Sequence, residues 1–234
     1  MLNRLEKAIL TEQEECVFGQ LAARLTDRRS PMHLRNRQSI FNIGEEDHHI
    51  YLIISGRVKT TTISSSGRSC LVDIYTPSEL LGMSCLVAPI RVETATAMTP
   101  AVVRKISEET FLSVLSDTRF CVYCLRYLAG RQAESEQRIT QLATVDSEHR
   151  LAISLLHLCA KMGVRVGQMT RVDCPITQQE LADMVGTTRS RVGYFLARFR
   201  AQGLVGPKSR GSLIVIEDAI RDYLGGLAPA TNGQ

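Results

Sequence analysis

Residues 177–205 read TQQELADMVGTTRSRVGYFLARFRAQGLV, and the organisation of the whole chain can be worked outward from them. Thr177 stands three residues ahead of Glu180, the spacing of a capping box, in which a hydroxyl and a carboxylate each engage an otherwise orphaned N–H. Pro175 lies just before it. The pattern predicts a helix over 178–185 that buries Leu181, Ala182 and Val185, with Gly186 permitting a tight turn. Thr187 and Thr188 then offer N-cap hydroxyls to a second helix over 189–202. On that helix Val192, Phe195, Leu196 and Phe199 share one face, while Arg191, Tyr194 and Arg198 line the opposite stripe. A helix, a short glycine turn and a second helix with a polar start constitute a helix-turn-helix. Gly203-Leu204-Val205 ends the second helix, and Lys208 to Gly211 separates it from a strand over 212–216. A hairpin wing with a cationic tip is therefore expected.

Charge points the same way. The chain of 234 residues carries a net charge of only +4. Between Thr177 and Gly211, Arg189, Arg191, Arg198, Arg200, Lys208 and Arg210 face only Glu180 and Asp183, a local surplus of 6 − 2 = +4. The remainder is nearly neutral, so the basic focus has the electrostatic footprint of nucleic-acid binding. Composition, at 44% hydrophobic and 22% charged, is that of a packed protein rather than a disordered one. The most apolar helical run, Leu151 to Ala160, is broken by Ser154 and His157, well short of the ~18 residues a membrane helix needs. Arg4, Glu6 and Lys7 interrupt Leu2, Leu5 and Ile9, so the start has no signal-peptide core. A cytoplasmic protein without a membrane partner is expected. Seven cysteines, at 16, 70, 85, 121, 124, 159 and 174, are an odd number, and no disulfide framework is expected.

Upstream, Val17, Leu21 and Leu25 fall at helical spacing, and Thr11 with Glu14 has the form of a second capping box. From Met32 to about Ile106 the pattern becomes short strands: Ile50 to Ile54, Val58 to Ile63, Leu71 to Tyr75 and Val92 to Ala97, each closed by turn residues. Turns at this frequency indicate a sandwich or barrel. Between Asp117 and Val145 no proline occurs, and Leu125, Leu128, Gln132, Ser135, Ile139 and Leu142 follow 3-4-3-4-3 spacing. That is a coiled-coil seam, read as a homodimer contact, with packing on the helix's own domain as the alternative. Polar Gln132 and Ser135 on the seam have the character of register-setting residues. Asp146-Ser147-Glu148 reads as an N-cap and hinge, followed by a helix to about Lys161.

With Ile53-Ile54-Ser55-Gly56 and Val58, Gly82 after Ser78-Glu79-Leu80, and Thr177-Gln-Gln-Glu-Leu-Ala through Val192-Gly193, the chain resembles the Crp/Fnr superfamily of bacterial transcription regulators. The resemblance implies an α+β fold: an N-terminal antiparallel β-roll of the jelly-roll, cyclic-nucleotide-binding kind over 1–116, a dimerisation helix over 117–145, and a winged helix-turn-helix over 146–234. It implies a non-enzymatic homodimer on double-stranded DNA at a pseudo-palindromic operator, with RNA polymerase as a further partner if the protein activates. Arg189, Ser190 and Tyr194 then occupy base-reading positions, and Thr177, Gln179, Arg191, Lys208 and Arg210 suit phosphate. Relatives that read a G·C pair commonly carry Glu where Ser190 stands and often Arg where Tyr194 stands.

The sensor half departs from the family pattern. Cyclic-nucleotide-binding members hold the ribose with a Gly-Glu pair and the phosphate with Arg-Ser or Arg-Thr. Here the corresponding pocket is Gly82, Met83, Ser84, Arg91, Glu93 and Thr94, so Met83 removes an acceptor and Glu93 opposes an anion. Arg91, two residues from Glu93, is a candidate for a displaced phosphate contact, and a cyclic-nucleotide-, haem- or redox-responsive member is the alternative. Neither haem nor an iron–sulfur cluster is supported: only Cys16 lies near the start, and Cys85 has no neighbouring His. Cys121 and Cys124 supply at most two of four metal ligands and read as core filler. Adjacent His48 and His49 point to opposite faces of a strand and do not chelate together. A cupin-type metalloenzyme, the rival class, lacks a convergent His/Glu set and leaves the C-terminal half unexplained. No metal or cofactor is expected.

Overall fold

The computed structural model describes residues 30–225 apart from 66, 68, 174 and 210. The helices expected before Asp27, with Cys16, and also Cys174 and Arg210 lie outside the described residues. The chain forms two compact units that divide between Gln137 and Arg138.

The first unit is built on two four-stranded antiparallel sheets. One runs in the order β1 (Met32–Leu34), β8 (Ala101–Ser107), β3 (His49–Ser55), β6 (Leu80–Leu81). The other runs β2 (Ser39–Phe41), β7 (Thr94–Ala97), β4 (Val58–Ile63), β5 (Ser69–Tyr75). Alternation along β3 sends its apolar residues to two cores. Tyr51 and Ile53 join Phe41, Val58, Ala95 and Val103 in one core. Ile50 and Leu52 join Leu80, Cys85 and Ile106 in the other. Burial on both faces is why β3 reads as an unbroken apolar run rather than an alternating one.

The second of these cores is completed by two helices. Phe111 of α1 (Glu108–Val114) meets Phe120 of α2 (Thr118–Thr144) edge to face, at 5.7 Å between ring centroids. Tyr123, Cys124 and Tyr127 continue the buried stripe of α2, and the Tyr127 hydroxyl donates to the Leu80 carbonyl at 3.1 Å. Further along, Arg131 pairs with Asp73 at 2.5 Å and donates to the Tyr75 hydroxyl at 3.0 Å. The seam residues lie on a different stripe. Leu125, Leu128, Ile139 and Leu142 are 61%, 45%, 66% and 50% exposed, and Gln132 and Ser135 are exposed between them.

In the second unit, α3 (Ser147–Met162) starts on Asp146, whose carboxylate accepts from the Glu148 and His149 N–H groups. A hairpin follows that the sequence reading lacked: β9 (Gly163–Val166) and β10 (Met169–Val172), extended by β11 (Leu213–Val215) into one antiparallel sheet. Its signal is the alternation of Val164, Val166 and Val172 about Gly167, directly after the helix expected to end near Lys161. Val205 bridges Val215 and the Gly206 N–H donates to the Ile214 carbonyl at 2.9 Å, so the wing hairpin has a paired base. Helices α4 (Gln178–Val185), α5 (Arg189–Ala201) and α6 (Glu217–Gly225) bury Leu181, Val185, Phe195, Phe199 and Ile220 with Leu151 and Leu155 of α3.

Candidate nucleic-acid interface and effector pocket

The capping box forms as its spacing requires. The Glu180 N–H donates to the Thr177 hydroxyl at 3.1 Å, and the Thr177 N–H donates to the Glu180 carboxylate at 2.7 Å. Helix α4 stops at Gly186, whose φ of 62° lies in the left-handed region that a side chain disfavours. Thr188 then caps α5, accepting from the Arg191 N–H at 3.3 Å, with the Ser190 hydroxyl 3.2 Å from its oxygen. Val192, Phe195, Leu196 and Phe199 are buried, so the residues between them are turned outward. Arg189, Ser190, Arg191 and Tyr194 are exposed together on the first turns of α5. Arg191 lies over the Phe195 ring at 5.7 Å, and Tyr194 meets that ring edge to face, so both are held at the surface by the core residue between them.

The other phosphate candidates are spread around this start. Thr177 caps α4 and Lys208 is exposed in the wing. The Gln179 amide already donates to Asp183 at 2.9 Å within its helix. At the far end of α5, Arg198 pairs with Glu148 at 3.1 Å, and Glu148 also accepts from the Tyr223 hydroxyl at 3.1 Å. Arg198 lies on the outward stripe, and no local pattern signals this anchor, because Glu148 lies fifty residues away in the chain.

In the β-roll, Arg91 does not extend β7. It lies three residues ahead of that strand, in a segment where the Gly44 N–H donates to its carbonyl and its own N–H donates to Glu45. Its guanidinium is 1% exposed. It pairs with Asp47 at 2.8 Å, donates to the Gly82 carbonyl at 2.6 Å and to the His49 carbonyl, and stacks 4.1 Å above Phe41. A Cβ on Gly82 would come within 2.8 Å of it, so the glycine makes room for the arginine. Asp47 also takes the Tyr51 hydroxyl at 2.9 Å and His49 at 2.7 Å. Burial opposes its charge, but these hydrogen bonds outweigh that and hold the carboxyl below its usual value. Glu93 is pushed the other way, chiefly by burial. The Thr94 hydroxyl accepts from the Ile43 N–H at 3.0 Å, Met83 packs on the core, and the Ser84 hydroxyl oxygen is buried without a hydrogen-bond partner.

Burial raises the Cys124 thiol to about 12, the opposite of an activated thiolate, and Cys121 beside it is half-buried. His48 lies between Glu46 at 3.4 Å and Glu108 at 3.5 Å, whereas His49 turns to Asp47, so the two do not converge. Among the described residues no group of three His, Cys, Asp or Glu could hold a metal, and no helix is long and apolar enough to cross a membrane.

Residues 31–118 match the family model of the cyclic nucleotide-binding domain, and residues 149–221 match that of the Crp-like helix-turn-helix domain. A CRP-like cAMP-activated global transcriptional regulator of Mycobacterium tuberculosis is 30% identical over 201 residues, 85% of this chain and 89% of its own length. The chain belongs to the Crp/Fnr family. A further relative, the global nitrogen regulator of Synechococcus elongatus, is 25% identical over 204 residues, 86% of this chain and 89% of its own. FixK2 from Bradyrhizobium japonicum shares the fold with a TM-score of 0.71 at 19% identity, covering 82% of this chain and 96% of its own. A CRP-family transcriptional regulator from Thermus thermophilus does so with a TM-score of 0.70 at 24% identity, covering 83% and 96%. The protein is a Crp/Fnr-type transcription regulator with a cyclic-nucleotide-binding-type β-roll and a DNA-binding helix-turn-helix.

Proposed function

We propose that two copies of this regulator pair along α2 and present their α5 helices to the two half-sites of a pseudo-palindromic operator. The observation that carries the reading is the coexistence of an exposed apolar stripe on α2 with an exposed, cationic start of α5. Arg189, Ser190 and Tyr194 read base edges. A guanidinium suits guanine O6 and N7, whereas the Ser190 hydroxyl cannot accept from cytosine N4 as a carboxylate does, so the half-site departs from the family's familiar ones. Thr177, Gln179, Arg191, Lys208 and Arg210 contact phosphate, which positions without specifying. On this reading residues 1–116 form the sensor or vestigial effector domain, 117–145 the pairing helix and 146–234 the reading head. The protein works in the cytoplasm, and as an activator its protein partner is RNA polymerase. Selection by the purified chain from a random duplex pool tests this. An inverted repeat with half-sites about one helical turn (~34 Å) apart is expected; no enrichment under any redox or ligand condition would sink it.

The relative from Mycobacterium tuberculosis is described as cAMP-activated, which makes a cyclic nucleotide the second reading. Against it stands the commitment of Arg91 to Asp47, Gly82 and His49, with Glu93 in the place of the family's arginine. A cyclic phosphate entering here would meet a carboxylate and an arginine already engaged, and an uncompensated buried anion is strongly disfavoured. The switch, if the β-roll carries one, answers to a different chemistry.

A further inference from the structure

We propose that Arg150 is a positioning residue that sets the operator spacing, by holding the helix-turn-helix against the last turn of α2. Arg150 lies on the first turn of α3 and its guanidinium is received by two helix ends at once. Nε donates to the Val185 carbonyl at 2.7 Å and Nη2 reaches the Gly186 carbonyl at 3.4 Å, both at the C-terminus of α4. Nη1 donates to the Val145 carbonyl and reaches that of Leu142 at 3.4 Å, both at the C-terminus of α2. Helix C-termini present carbonyls that lack intrahelical partners and carry partial negative charge. One planar cation with a fork of donors joins the two ends, a spread of donors that a compact ammonium matches less well.

The same junction is closed by packing. A Cβ on Gly186 would come within 2.8 Å of Leu142 Cδ2, so the turn of the helix-turn-helix rests directly on that leucine. Leu142 is also the last member of the exposed seam, half of its surface still free. One side chain therefore belongs both to the face proposed to pair two copies and to the seat of the reading head. With Arg150 in place, the helix-turn-helix moves with the last turn of α2, so on the proposed reading the pairing of that turn sets the distance between two copies of α5. The inference rests on the reading of the chain as a dimer on two half-sites.

The full-length chain first selects a duplex, which is then remade with the spacer one base pair longer or shorter, and with one half-site scrambled. Wild type should lose about tenfold or more on either altered spacer, because a rigid bivalent binder forfeits its avidity when both sites cannot be engaged together. Arg150→Met should bind the scrambled-half duplex about as wild type does, yet discriminate among spacers by less than roughly threefold. Arg150→Lys keeps the charge but not the fork and should fall between them; if Arg150→Met does not fold, it decides the matter. Undiminished spacer discrimination overturns the proposal, as does an equal loss of single-half and full-operator binding, which marks a merely structural anchor. A wild-type chain that selects no duplex removes the operator reading itself, and this inference with it.

Discussion

Arg189 and Lys208 carry the same charge in different settings, and their replacement separates reading from attraction. Arg189 is exposed at the start of α5, and the proposed reading gives it a bidentate contact with guanine. Arg189→Ala should cost ~1–3 kcal/mol and relax specificity at one base pair. Lys208→Ala, in the wing, should weaken all sequences about equally and flatten the dependence of affinity on salt. Binding to matched and single-mismatch duplexes across a salt series distinguishes the two. Inside the β-roll the informative pair is Arg91 and Asp47. The carboxyl of Asp47 is held below its ordinary 3.8, so its contribution to stability is complete above that pH and is lost as the pH falls through the lower folded-state value. Arg91→Met should cost up to about 3–5 kcal/mol at neutral pH, because it leaves a partly buried carboxylate without its cation. It should also make the acid-side loss of stability shallower. Urea unfolding between neutral pH and pH ~3 measures both, and an unchanged acid limb would count against the pairing.

Among the elements, α2 carries two apolar stripes, one buried against its own unit and one exposed. Phe120, Tyr123, Cys124 and Tyr127 are spent on its own β-roll, and Leu125, Leu128, Ile139 and Leu142 are left outside. Both stripes follow helical spacing, Phe120, Tyr123, Cys124 and Tyr127 as regularly as the seam, so only tertiary packing decided which of them meets the β-roll and which stays outside. Leu128→Asp with Ile139→Asp places unpaired charge on the seam, where burial is costly. The double mutant should sediment as a monomer with its circular dichroism intact; a dimer with full operator affinity would move the interface elsewhere. On α4 the reciprocal bonds of Thr177 and Glu180 fix where the helix begins. Thr177→Ala should destabilise by ~0.5–2 kcal/mol, read as a lowered unfolding midpoint.

For the whole molecule, the question is what the β-roll can sense. A ligand shifts a conformational equilibrium only by its differential affinity for the two states. The guanidinium that lies beside Gly82 is consumed by the protein itself, so it is not waiting for the phosphate of cyclic AMP or cyclic GMP. Calorimetric titration of either nucleotide, run beside an operator-binding assay, should show no saturable micromolar binding and no change in operator affinity. Micromolar binding accompanied by a shift of about tenfold or more would reverse this, and would require Arg91 to leave Asp47.

The local patterns were sufficient wherever a single short-range rule governs the chain. Val58 to Ile63 is a strand, Gln178 to Val185 a helix bounded by its capping box and Gly186, and Asp146 an N-cap, all at the expected residues. These follow from alternation, capping and glycine conformation, which act over a few positions. What the tertiary structure alone decided are the meetings of distant groups. Arg91 read as a phosphate contact displaced along a strand, yet Asp47, forty-four residues earlier, takes it into the core. Arg150, which no local motif singles out, joins the ends of α2 and α4. Arg198 read as part of an outward stripe, yet Glu148 holds it. A cation's donors are indifferent to sequence separation, and only the packing of strands and helix ends determines which acceptors come within about 3 Å of it.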